Sequence, residues 1–113
     1  MGGQPIAKVV FALRLRLGTD LTTYIAGVSS FTLIREWTFG VSRSSSLREH
    51  RLRLAFDVAR LVERSGGRTV VAPWFLAANV ALGDRSPARV LHDDDFASAR
   101  TAVILAANAF ATV

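Results

Sequence analysis

The densest set of groups able to hold a metal ion or move a proton is the run His92-Asp93-Asp94-Asp95. An imidazole beside three carboxylates offers both metal ligands and an acid–base pair. The same run also suits the start of a helix, where carboxylates accept hydrogen bonds from unpaired first-turn amides and oppose the positive end of the dipole. The cap is the simpler reading, and it opens a last helix from one of the three aspartates to Ala109 or beyond. Neither His92 nor His50 stands in a Gly-x-Ser-x-Gly elbow, so a serine triad lacks its framework. The chain has no cysteine, which removes thiolate nucleophiles, disulfides and thiolate metal sites. Phosphate-binding loops and dinucleotide fingerprints are missing as well. The sequence therefore predicts no catalytic activity, no cofactor and no metal.

The stretch from Asn79 to Leu91 carries more information, although it is conformational rather than catalytic. Gly83 is free to take positive φ, so the chain can reverse after Leu82. Ser86 is placed to cap a helix whose first residue is Pro87, where the missing N–H costs nothing. Val90 and Leu91 can then point inward from a short helix. The order Ala81-Leu82-Gly83-Asp84-Arg85-Ser86-Pro87, with Asn79 ahead of it and Trp74 earlier still, resembles the C-terminal toxin-binding domain of the Xre/MbcA/ParS antitoxins. That family's pattern reads approximately Trp-Leu, a few residues, then Asn-Pro-Ala-Leu-Gly-Gly-Arg-Ser/Thr-Pro and an apolar helix. This chain matches at Trp74, Asn79, Ala81, Leu82, Gly83, Arg85, Ser86 and Pro87. It departs at Phe75 for the leucine, at Val80 for the proline and at Asp84 for the second glycine.

Composition agrees with a helical binding protein. Half of the 113 residues are hydrophobic and 20% are charged, which argues against disorder. So much apolar content in a chain this small also suggests that an oligomeric interface absorbs some of it. The net charge of +5 is uneven: residues 1–68 hold eleven Lys/Arg against five Asp/Glu, and residues 69–113 three against four. A basic half beside a near-neutral apolar half points to two surfaces with different partners. The first apolar stretch, Ile6 to Leu17, is interrupted by Lys8, Arg14 and Arg16, and it lacks a cleavage site of small residues. Ile6 also breaks a myristoylation motif. The uncharged runs fall short of the roughly 18–20 residues needed to span a bilayer. A cytoplasmic location without a membrane partner is expected.

Periodicity reads as helix throughout, with strand content near zero. Pro5 opens a first helix to Leu17, with Ile6, Val9, Val10, Leu13 and Leu17 on one stripe. A short second helix covers Leu21 to about Ala26, and Ser30 caps a third from Phe31 to Phe39. Two short helices joined around Gly27 have the shape of a helix-turn-helix. The third helix also resembles the Xre-type pattern Val-Ser-x-x-x-x-Ile-x-x-Trp-x-x-Gly, met by Ile34, Trp37 and Gly40. Ser29, Ser30, Thr32 and Arg35 would then reach phosphates or base edges, and Arg43 the backbone. Phe31, Leu33 and Glu36 are poorly suited to DNA and fit protein contact instead. Ser46 caps a long fourth helix, Leu47 to about Arg64, and Ser65-Gly66-Gly67 marks the clearest boundary. Beyond it come a helix from Val70 to Ala78 with Pro73 in its first turn, the Asn79–Ser86 turn, the Pro87–Leu91 helix and the last helix.

These readings give an all-α protein: an Xre-like helix-turn-helix domain at 1–64 and a small helical toxin-binding domain at 68–113. The resemblance implies an antitoxin of a type II toxin–antitoxin module. Its usual partner is a RES-domain toxin that consumes NAD⁺, neutralised when the antitoxin's C-terminal helices cover the substrate entrance. The expected toxin-binding residues are Trp74, Asn79, Leu82, Gly83, Arg85, Ser86, Phe110 and Val113. The near-continuous apolar run Ala102 to Val113 adds a physical reason, because Val103, Ile104, Leu105, Phe110 and Val113 cannot all face one small core. Arg85 could reach an acidic group across that interface or pair within its own chain. A homodimer is expected within the larger complex, with Val9, Val10 and Leu13 as its face, and operator DNA as a further partner in autorepression. The alternatives are a stand-alone helix-turn-helix repressor and a protein-binding scaffold that has lost DNA contact.

Overall fold

The computed structural model describes residues 4–28 and 46–112. Among them the chain is all-α. Helix α1 is Ile6–Leu17 and α2 is Thr19–Ala26. The long α3 is Ser46–Gly66, α4 is Val71–Leu76, α5 is Pro87–Asp93 and α6 is Phe96–Ala111. Two 3₁₀ turns, Arg68–Val70 and Val80–Leu82, lead into α4 and out of it. The candidate recognition helix, with Ser29, Ser30, Thr32, Arg35 and Arg43, lies outside the described residues, as does Val113.

Helix α1 forms because its apolar positions recur at helical spacing and bury Val9, Val10, Leu13 and Leu17. Gly18 ends it at φ +87°, and its N–H donates to the Arg14 carbonyl at 2.9 Å. Helix α2 is short and keeps two buried threonines satisfied. The Thr22 hydroxyl donates to the Gly18 carbonyl at 2.8 Å, and the Thr23 hydroxyl to the Asp20 carbonyl at 2.9 Å. Gly27 closes α2 in the left-handed conformation.

Helix α3 is the spine of the fold and packs against α1, α2 and α6. Its contact with α6 is the most extensive between any two of the described elements. Small buried residues on both helices, Ala55 and Ala59 on α3 and Ala99, Ala106 and Ala107 on α6, allow that close approach. One continuous core runs from Val9 on α1 to Ala107 on α6, so the two halves of the chain share it.

Two expectations change here. Val9, Val10 and Leu13 are at most 5% exposed within their own chain, so they are core and not a dimer face. The large apolar side chains that α1 leaves outside are Phe11 and Leu15 instead. The boundary at Ser65-Gly66-Gly67 is sharper than its sequence suggests, since α3 runs through Gly66 and only Gly67 leaves the helix. Gly66 has a packing reason: a Cβ there would lie 3.0 Å from Cζ of Phe110 and 3.2 Å from Cγ1 of Val70.

Candidate protein-binding face

The segment from α4 to α5 is built around Asn79. Its side-chain oxygen accepts from the Ala81 N–H at 3.0 Å and caps the 3₁₀ turn. Its carbonyl accepts from the N–H groups of Leu82 and Asp84, each at 2.9 Å. Its own N–H donates to the Arg85 carbonyl at 3.1 Å, which closes the loop as an isolated antiparallel bridge. Three backbone bonds of the loop thus refer back to one residue, and two more run from the Gly83 N–H to the Val80 carbonyl at 3.2 Å and from the Arg85 N–H to the Leu82 carbonyl at 3.4 Å.

Two consecutive left-handed residues reverse the chain: Gly83 at φ +67° and Asp84 at φ +66°. Glycine takes this region freely, whereas an L residue in it is strained, aspartate less than most. Asp84 is the sole described residue other than glycine with positive φ. Ser86 then caps α5, its Oγ accepting from the Arg89 N–H at 3.1 Å, with Pro87 at the first helical position. Val80 is the first residue of its 3₁₀ turn, a place that suits proline as well.

Of the expected toxin-binding residues, Trp74 and Leu82 are buried, Asn79, Arg85, Ser86 and Phe110 are partly buried, and Gly83 is exposed. Leu82 is 5% exposed and Trp74 8%. Trp74 meets Phe75 edge-on at 5.2 Å between ring centroids and lies 6.4 Å from Phe110. Phe110 is half-buried between Trp74 and Gly66. Asn79, Gly83 and Ser86 hold the loop's shape, as just described. Arg85 forms a fork with Asp94, its two terminal nitrogens 2.7 and 2.9 Å from the two carboxylate oxygens. The guanidinium is thus paired within the chain while its side chain stays 41% exposed. This hydrogen-bonded pairing holds the Asp94 carboxyl below the ordinary aspartate value and the Arg85 guanidinium above its own.

The rest of the acidic run is structural too. Asp95 is the cap of α6 and accepts from the Ser98 N–H at 3.1 Å, which keeps its carboxyl below the ordinary value. Asp93 pairs with Arg89 one turn away at 3.2 Å. The His92 ring stacks on Tyr24 with centroids 4.2 Å apart, and its Nδ1 lies 2.7 Å from the Tyr24 carbonyl. That contact ties α5 to the end of α2. No cluster of three metal-ligating side chains occurs among the described residues.

The apolar tail divides in a way the sequence left open. Val103 is fully buried and Ile104 packs partly against the core. Leu105, however, is 63% exposed, and Val80 is 88% exposed. These two stand on elements that pack against each other, α6 and the second 3₁₀ turn, with exposed Ala77, Ala78, Ala81 and Ala109 on or beside the same elements. Neither Val80 nor Leu105 is among the residues that the resemblance marks as toxin-binding. The one available sign was Val80 itself, a β-branched apolar residue in a turn where proline would serve. No helix of the described residues is long and apolar enough to cross a membrane. Set against protein-family models, curated proteins and solved structures, the chain matches none of them.

Proposed function

We propose that this chain is the antitoxin of a toxin–antitoxin pair, acting in the cytoplasm on a RES-domain toxin through its C-terminal half. The observation that carries the reading is how the Trp74–Pro87 motif uses its residues. Asn79, Gly83, Arg85 and Ser86 hold the loop in one shape and Leu82 anchors it in the core, while exposed Val80 and Leu105 stand on elements that pack against each other. A preorganised apolar knob loses little entropy on binding, which suits a surface that covers another protein's cleft. Asp84 gives separate support: the family pattern has glycine at that position, and its backbone takes a glycine-type conformation. The role is occlusion, with no chemistry contributed by this chain. Operator binding by residues 29–43 belongs to the same proposal. Its support is the excess of cations in residues 1–68 and the α1–α2 pair ending at Gly27.

The test is co-expression with the product of the adjoining gene, reading both co-purification and cellular NAD⁺. The wild type should co-purify and preserve NAD⁺. A Val80→Arg, Leu105→Arg double variant should lose both properties while keeping its helical circular dichroism. Full protection by the folded double variant would show that the face is elsewhere. Failure of the wild type to bind would remove the antitoxin reading.

A further inference from the structure

Two adjoining grooves lie along the seam between α1 and α3, and each carries charge that the chain leaves unanswered. The first, of about 640 Å³, is lined by Ala12 and Arg16 on α1 and by Phe56, Arg60, Glu63 and Arg64 on α3. The second, of about 690 Å³, shares Phe56 and Arg60 with it and adds Pro5, Val9 and Asp57. Other charges along the seam cancel. Arg16 Nε donates to Glu63 at 2.6 Å, while the Arg53 guanidinium donates to Glu49 at 2.9 Å and to the Gln4 carbonyl at 2.7 Å. Arg60 and Arg64 in the first groove and Asp57 in the second are exposed and form no ion pair among the described residues. The two arginines stand one helical turn apart, where like charges repel. Arg60 lies over the Phe56 ring, 5.6 Å from its centroid, at the junction of the two grooves.

We propose that the paired grooves bind a nucleoside phosphate, with its phosphate between Arg60 and Arg64 and its sugar and base along the second groove. The two ends of the site select this class. An anion at the first groove relieves the repulsion between the arginines and takes charge-assisted hydrogen bonds from two guanidinium groups. At the second, the Asp57 carboxylate repels anions and accepts hydrogen bonds, so it meets a neutral donor such as a sugar hydroxyl or a base amino group. Pro5, Val9 and Phe56 supply apolar surface beside it. A bare phosphate leaves Asp57 unmet, and an acidic peptide or a nucleic-acid strand brings it a further anion. Both grooves fall within the size range of small-molecule sites. Their openness to solvent screens the ionic contacts, so a submillimolar Kd is expected. None of these residues belongs to the Val80–Leu105 face, and the inference stands apart from the antitoxin reading.

Calorimetric titration of the full chain with adenosine diphosphate and with inorganic pyrophosphate, at low ionic strength and without metal, tests this. Both probes should bind, the nucleotide more tightly. Arg60→Ala and Arg64→Ala, at exposed positions that leave the chain folded, should each weaken both probes about five- to tenfold. Arg100→Ala removes an exposed cation from α6, away from both grooves, and should change neither Kd by more than about twofold. Asp57→Ala separates the two ends of the site. It should weaken the nucleotide about threefold through a lost acceptor, while pyrophosphate binds as before or more tightly because a like charge has gone. No binding by the wild type overturns the proposal, as does equal weakening by Arg100→Ala. Tightening of both probes by Asp57→Ala overturns it too, since the acid would then only repel. A single-stranded oligonucleotide that binds through Arg60 and Arg64 more tightly than the nucleotide would replace the small ligand with a strand.

Discussion

Asp84→Gly should stabilise this protein, although the aspartate side chain makes no hydrogen bond or ion pair to be improved. The reason lies in the backbone, at φ +66°. Holding an L residue in the left-handed region costs about 1–2 kcal/mol, with aspartate near the lower end. Glycine removes that cost but loses about 0.5–1 kcal/mol more conformational freedom on folding. The difference leaves a net gain of at most about 0.5 kcal/mol, which corresponds to no more than roughly 2–4 °C in Tm for a chain of this size. Three variants followed by urea and thermal unfolding would isolate the cause. Asp84→Gly should be more stable than wild type. Asp84→Asn should differ by only a few tenths of a kcal/mol, because asparagine also tolerates this region. Asp84→Ala should lose about 0.5–1 kcal/mol. The glycine variant also raises the net charge above +5, so the comparison belongs at high salt, where surface charge is screened. A glycine variant less stable than wild type, or an alanine variant equal to it, would refute the argument from strain.

Other perturbations separate structural from binding roles. Ser86→Ala should cost about 1 kcal/mol by removing the cap of α5, measured by urea unfolding. Leu82→Arg should unfold the protein, because Leu82 is 5% exposed, and a loss of helical circular dichroism would register it. Asp94 and Asp95 both have carboxyls held below the ordinary value of 3.8 in the folded chain. Protonation therefore favours unfolding: their contribution is complete above that value and is lost progressively as pH falls below it. Asp94→Asn should flatten the acid limb of a stability–pH curve, and an unchanged limb would show that the Arg85–Asp94 fork contributes nothing.

The fold was largely legible because its determinants are local. The stripe of α1, proline at the start of α5, aspartate at the start of α6 and glycine at 18, 27 and 83 each act within one or two turns. The packing surfaces were harder to read, because periodicity identifies an apolar stripe without saying what covers it. Val9, Val10 and Leu13 look like a dimer face in the sequence, yet they are buried inside the chain, where α1 packs against α3. Arg85 presented the same ambiguity. Its partner Asp94 is nine residues away, beyond the whole of α5.

A motif can be recognised when the backbone demands particular residues, and this determines what recognition can reveal. In the Trp74–Leu91 segment those demands fall on side chains that face the core or the loop itself: an Asx cap at 79, a left-handed pair at 83–84, a buried leucine at 82 and a serine cap at 86. Such residues specify the platform and would be the same for many partners. Val80 and Leu105 are under no comparable constraint, since one is the exposed first residue of a 3₁₀ turn and the other an exposed helical position. Partner choice should therefore lie in positions that the motif leaves free. If the proposed function holds, exchanging Val80 and Leu105 for the residues of another protein of this shape should redirect binding without altering stability by more than about 0.5 kcal/mol, the usual range for surface substitutions. If such an exchange leaves the original partner bound as before, specificity resides in the platform and this division of labour is wrong.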